Sequence, residues 1–200
     1  MMEAMDADEI IKTSGRPRDT ARHQAVLAAA REILAERGYT ELNFSRVAAR
    51  ANVTRHLIYR WWPTRAALVS ETLFGEFASD WTTTSFGNLQ ADLHEFISRI
   101  VEYACDPAVR AGIIGLMADS DATTDMPGLE AGTLSPLEHQ LQVIIEQAIA
   151  RGEAVPGIDA RLTLNTLRGA IVMHLIADRT PPQDIISHLT TVMTRAYGSR

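Results

Sequence analysis

The chain has 200 residues, 46% of them hydrophobic, enough to bury a core in one medium domain or in a small domain joined to a medium one. It has no run of about 18 apolar residues to cross a membrane. Its acidic start, MMEAMDADEI, lacks the basic and apolar segments of a secretory signal, and a lone Cys105 can form no internal disulfide, so a reduced, cytoplasmic protein is expected. The net charge of −6 argues against a nucleic-acid partner only until it is divided along the chain. Residues 12–65 carry eleven Lys or Arg against four acids, and residues 66–200 carry eight Arg against seventeen acids. A polyanion would meet the basic segment and not the average.

In chain order, residues 1–14 are polar or acidic and read as a disordered tail. Gly15-Arg16-Pro17-Arg18 forms a short basic arm. The apolar spacing predicts a helix over about 20–37, with Val26, Leu27, Ala30, Ile33 and Leu34 on its inner side and Gly38 as its left-handed stop. A short helix follows over about 45–50, capped by Asn43 or Ser45. After the turn Asn52-Val53-Thr54 comes a third helix over 55–61, closed by Pro63. Thr64 caps a fourth, over about 65–79. Further helices are expected near 89–104, 107–118 and 134–151, with a loop over 119–132. The last two, near 159–178 and 182–197, are split by Thr180-Pro181-Pro182. Nothing alternates as a sheet would, so the fold class is all-α.

Val47–Trp62, VAARANVTRHLIYRWW, has the form of a helix-turn-helix. Ala48 and Ala51 are small where two short helices cross, and Val53 tucks beneath them. Asn52 stands where the turn needs positive φ, which Asn tolerates best after Gly. Leu57 or Ile58, with Trp62, would anchor the third helix, leaving Arg55, His56 and Tyr59 free to enter a major groove.

The longer stretch resembles the TetR family of transcriptional regulators. The arm GRPRD (15–19), the helix AVLAAAREILAERGY (25–39) and VAARANVTRHLIYRWWPTRAAL (47–68) keep the spacings of that family over about 50 residues, including the Tyr-Arg-x-Trp-Pro-x-basic-x-x-Leu ending at 59–68. Beyond residue 70 the helix count and lengths match, without a shared motif. The resemblance implies a three-helix DNA-binding head over 15–65, joined by a helix to a ligand-binding and dimerization domain over 66–200. Arg16 and Arg18 would reach the minor groove or phosphates. Thr54, Arg55, His56 and Leu57 would face base edges or the adjacent backbone, and Tyr59 would donate to a phosphate. Asn43 and Ser45 join the DNA-facing set, as does Arg65, where the family usually has Lys. Asn52 replaces the usual Gly of the turn, and His56 replaces a small residue.

The same resemblance assigns a dimer bundle to Leu164, Leu167, Ile171 and Leu175 on one helix, with Ile185, Leu189, Val192 and Met193 on the next. Their periodicity alone fits packing inside one chain equally well. It also assigns a pocket for a small hydrophobic or amphipathic ligand, with Phe74, Phe77, Trp81, Phe96, Tyr103, Met117 and His174 as candidate lining. Aromatic and Met residues at helical spacing are otherwise simply core. There is no G-x-S-x-G, phosphate loop or zinc signature, and the histidines make no metal-ligand pattern. No enzyme, cofactor or metal is therefore expected. The implied function is a homodimeric repressor released from a palindromic operator by a small molecule. A ligand-independent DNA-binding protein is the alternative.

Overall fold

The structure, a computed structural model, describes residues 17–75, 85–119, 131–174 and 180–199, without the side chains of 17–19 and 131–135. Among the described residues there are nine helices: α1 (Pro17–Arg37), α2 (Phe44–Ala51), α3 (Arg55–Trp61), α4 (Arg65–Phe74), α5 (Leu89–Cys105), α6 (Pro107–Asp119), α7 (Ala131–Ala150), α8 (Ala160–Met173) and α9 (Pro182–Tyr197). The only sheet-like pairing among them is a bridge between Ala154 and Gly198. No described helix is long and apolar enough to cross a membrane. The tail over 1–14, Arg16, Phe77, Trp81 and Leu175 lie outside the described residues, as does most of the expected loop over 119–132.

Caps decide where the short helices begin. The side chain of Asn43 accepts from the Arg46 amide at 3.0 Å, Thr54 from Leu57 at 3.3 Å and Thr64 from Ala67 at 3.1 Å. Each satisfies an amide that has no partner inside its helix. Gly38 ends α1 at φ +77° and Asn52 ends α2 at φ +51°, both in the left-handed region that their residue types suit. α1 begins at Pro17, three residues before the expected start. Proline preset for the first helical position extends it, so Arg18 stands in the first turn of a helix and not on an arm.

Two apolar cores result. The first joins α1–α4 around Ile33, Leu34, Ile58, Trp62 and Leu68, and it also takes in Ala108, Val109 and Leu116 of α6. The second joins α5, α7, α8 and α9 around Ile97, Leu141, Ile145, Leu167 and Leu189. α6 therefore follows the head in packing although it lies in the C-terminal half of the sequence. Two glycines make its approach close. A Cβ on Gly115 would lie 1.9 Å from Cγ of Tyr39, and one on Gly112 would lie 2.5 Å from Cδ1 of Leu73. Both ends of α6 are tied to the head. Asp106 caps it, accepting from the Ala108 and Val109 amides, and pairs with Arg31 of α1 at 3.0 Å. At the other end Asp119 accepts from the Tyr39 hydroxyl at 2.6 Å and pairs with Arg65 at 2.7 Å.

The second core has its own polar fastening. Asp92 of α5, buried, accepts from the Phe86 amide at 2.6 Å and pairs with Arg151 at 3.0 Å. Glu153 accepts from the Leu89 amide at 2.6 Å and from Arg151, which binds the start of α5 to the turn after α7.

The apolar stripes of α8 and α9 require a correction. Leu164, Leu167, Ile171, Ile185, Leu189 and Met193 are all buried within the single chain, where each gains its transfer free energy without a second copy. Periodicity identifies a buried face but not the partner that buries it. Of the described residues expected at the dimer contact, Val192 alone is exposed, at 41%. Leu162, on the outer face of α8, is exposed at 65%.

Candidate nucleic-acid interface and cavity

α3 is fixed from beneath by Ile58 and by Trp62, both buried. The Trp62 indole also donates to Glu71 of α4 at 2.6 Å, and the His23 ring packs on it with centroids 4.7 Å apart. This fixes the rotation of α3 about its axis and leaves Arg55, His56, Tyr59 and Arg60 exposed, with Leu57 half-buried. Tyr59 is 49% exposed. Its ring stands edge-on to Phe44 at 4.7 Å, and its hydroxyl takes a long bond, 3.4 Å, from Arg55.

Asn43, Ser45, Arg55, Tyr59 and Arg65 surround one shallow recess of about 390 Å³, with Leu42, Phe44 and Pro63 as its floor and rim. Five of the residues singled out in the sequence thus converge from the starts of α2 and α4 and from α3. The first amides of α2 and α4 add partial positive charge there. Two members have second roles, the first offered by the sequence and the second not. Asn43 spends its side-chain oxygen on capping α2. Arg65 lies 4.3 Å above the Tyr39 ring and holds Asp119, so it reaches a phosphate only by sharing its guanidinium.

Much of the basic excess of the head is used internally. Arg50 pairs with Glu36 at 2.8 Å and Glu32 at 3.6 Å, and Arg46 pairs with Glu41. The hydrogen bond from Arg50 holds the Glu36 carboxyl below its usual range, and that from Arg46 does the same for Glu41. Among the described residues Arg55 and Arg60 form no ion pair, so α3 presents two cations that an incoming polyanion can take; Arg22 and Arg37 of α1 form none either. At the seam, burial and the bond to Asp119 push the Tyr39 phenol up to about 12. Hydrogen bonds from Tyr39 and Arg65 lower Asp119.

A cavity of about 470 Å³ lies between α4, α5, α6, α7 and α8. Phe74 closes it from α4, Ile100, Tyr103 and Ala104 from α5, Ile113 and Met117 from α6, and Leu137 from α7. α8 contributes Asn165, Arg168, Gly169 and Ile171–Met173. Tyr103 is held in the wall by donating to the Leu73 carbonyl. Of the residues that the sequence offered for a ligand pocket, Phe74, Tyr103 and Met117 border this cavity. Phe96 is corrected: it lies one turn before Ile100 and is buried in the second core, short of the cavity. His174 is corrected as well. It sits beyond the wall, its Nδ1 3.4 Å from the Thr180 hydroxyl and its ring 6.3 Å from that of His188. Arg168 was missed, although a cation between Leu167 and Ile171 in the otherwise apolar second half of α8 was a readable signal. Among the described residues no group of His, Cys, Asp and Glu could hold a metal ion.

Comparison with known proteins places this arrangement. Residues 26–72 match the bacterial regulatory proteins of the tetR family, and residues 85–192 match the tetracyclin repressor-like C-terminal domain. The second match alone spans more than half of the chain. The chain belongs to the TetR family.

Among its relatives, the HTH-type transcriptional regulator YdeS of Bacillus subtilis is 24% identical over 81% of this chain and 82% of its own length. The DNA-binding transcriptional repressor TetR of Mycobacteroides abscessus is 28% identical over 84% of this chain and 88% of its own. A transcriptional regulator of Saccharomonospora viridis, solved in complex with choline, superposes with a TM-score of 0.67. It covers 90% of this chain and 100% of the other at 13% identity, and so speaks for the fold alone. As a TetR-family member the chain is an all-α, DNA-binding transcriptional regulator, with its helix-turn-helix in α2 and α3. The family's proteins act by binding DNA operators, small molecules and a second copy of themselves.

Proposed function

We propose that this chain is a cytoplasmic homodimeric repressor whose α3 enters the major groove of a palindromic operator and which a small amphipathic molecule releases. In this reading Thr54, Arg55, His56 and Leu57 meet base edges or the adjacent backbone. Tyr59, Ser45 and the recess around them take a phosphate, and Arg16, ahead of α1, and Arg18, in its first turn, add contacts to the DNA backbone or minor groove. A single copy of α3 is two turns long and reads few base pairs, so two-fold pairing is needed for selectivity. The outward residues Leu162 and Val192 are exposed apolar positions of α8 and α9 open to the second copy. Leu162→Glu is expected to yield monomers with weak operator binding. An unchanged dimer in sedimentation would move the interface elsewhere.

One observation supports ligand release above all: α6 is both a cavity wall, through Ile113 and Met117, and a member of the head core, tied there at Asp106 and Asp119. A molecule that displaces α6 shifts the head with it, and the spacing between two heads decides whether both fit successive grooves. A ligand shifts this balance only through its different affinity for the two arrangements. Operator DNA must then weaken ligand binding by the same factor. The test is to select bound fragments from a random DNA pool, then titrate the enriched palindrome with and without compounds that raise the melting temperature. Operator affinity that no cavity-binding compound alters would favour the ligand-independent reading. Selection without any enriched palindrome would overturn sequence-specific repression itself.

A further inference from the structure

Among the described residues that line the cavity Arg168 is the sole formal charge, and none of them is an acid. Among the described residues it has no ion pair and no hydrogen-bond partner. It is also largely withdrawn from water, which pulls its pKa down with nothing nearby to restore it. Every other arginine whose pKa is perturbed here has a carboxylate beside it, as Arg31, Arg50, Arg65 and Arg151 do. A guanidinium stays protonated under all ordinary conditions. Arg168 therefore keeps a charge at a site where a charge is poorly solvated, and that cost persists until an anion arrives.

We propose that the effector is a mono-anionic amphiphile, an acyl-type carboxylate, whose apolar body fills the cavity and whose head pairs with Arg168. This rests on the cavity being the effector site. The geometry suits it. Phe74, Ile113 and Leu137 supply apolar wall from three other helices, while Asn165 lies one turn before Arg168 on α8 and can donate to the second oxygen of the same head group. A carboxylate can take two parallel bonds from one guanidinium. A neutral hydrophobe would strip the remaining water from Arg168 and return nothing. A cationic one would add repulsion. Selection by charge is thus built from penalties on the wrong ligands as much as from attraction to the right one.

The probes are hexanoate, decanoate and tetradecanoate, each with its primary amide and its alkyltrimethylammonium counterpart. Binding is measured by calorimetry and release by operator titration. At the best-fitting length the carboxylate is expected to bind about tenfold or more tightly than the amide, the scale of one charge-assisted hydrogen bond, and the ammonium more weakly still. Arg168→Met should collapse that preference to below about threefold, and Arg168→Lys should keep part of it. Amide and carboxylate binding equally to the native protein would overturn this inference while leaving the cavity as effector site. So would Arg168→Met retaining the full preference. Failure of every probe to bind would overturn the cavity reading itself. If Arg168→Met turned the dimer into monomers in sedimentation, the arginine would belong to the subunit contact and the proposal would fall.

Discussion

Around α1, α3 and α4 the core is closed by Tyr39, Phe44 and Trp62, whose polar tips are held by hydrogen bonds or whose rings pack on other rings. Around α5, α7, α8 and α9 it is built mainly of Leu and Ile, and between it and the head a cavity of about 470 Å³ remains. The contrast follows from the tasks. A reading head must hold a two-turn helix at one rotation, and large side chains with directional contacts do that. A sensing body must accept foreign volume, and a void bordered largely by apolar side chains leaves room for it. The seam between the two belongs to the stiff half, because glycines let α6 lie directly against Tyr39 and Leu73.

The same substitution at two glycines should break this comparison most clearly. Gly115→Ala puts a methyl into the Tyr39 ring and should cost about 3 kcal/mol, with the melting temperature falling accordingly. Gly169→Ala on α8, with open space around it, should raise stability by about 0.5–1 kcal/mol. If both substitutions were neutral, the seam would be as yielding as the body. Asp92→Ala comes next. It leaves the Phe86 amide without its acceptor and removes one of Arg151's two partners, for an expected loss of about 2 kcal/mol in denaturant unfolding.

On the DNA face, Tyr59→Phe should weaken binding to every sequence by about 1 kcal/mol, or roughly fivefold. Arg55→Ala or His56→Ala should instead change which bases are preferred. A Tyr59→Phe protein with full affinity and altered preference would reverse these roles. The smallest effect expected is a pH dependence at the seam. Asp119 is depressed on folding, so its contribution is complete above the ordinary carboxylate pKa of 3.8 and is lost as pH falls through the lowered value. Tyr39 is raised from 10.0 to about 12, so its contribution is complete below 10.0 and fades as pH climbs toward 12. Chemical unfolding at neutral pH and near pH 11 should show a larger loss for the native protein than for Tyr39→Phe. Equal losses would show that the phenol does not titrate across that window.

Local chemistry was legible in the sequence, and the choice of partner was not. Gly38, Asn52 and Thr64 act within one turn of themselves, so their residue types alone announced helix ends that the structure contains, whereas Thr54, read as part of the turn, also caps α3. The buried stripes of α8 and α9 were equally visible. Whether Leu167 and Leu189 met each other's chain or a second copy depended on contacts far apart in sequence, which no period encodes. The same holds for α6: its apolar residues promised a buried face, but only Gly112, Gly115 and the carboxylates at its two ends say which core receives it. Phe96 and Tyr103 are alike as aromatic residues and were read alike, although about two turns of helix separate the one in the core from the other in the cavity wall.

The double allegiance of α6 bears on how such a regulator could be recombined. A graft cut after residue 65 would transfer every residue of the reading surface from Asn43 to Arg65, yet it would separate Tyr39 and Arg65 from Asp119, and Arg31 from Asp106. The foreign body would have to supply a helix with small residues at the positions of Gly112 and Gly115 and an acid at each end. Exchange of sensing domains is therefore restricted to donors whose sixth helix carries that pattern, and a functional hybrid has two matching edges to satisfy instead of one splice.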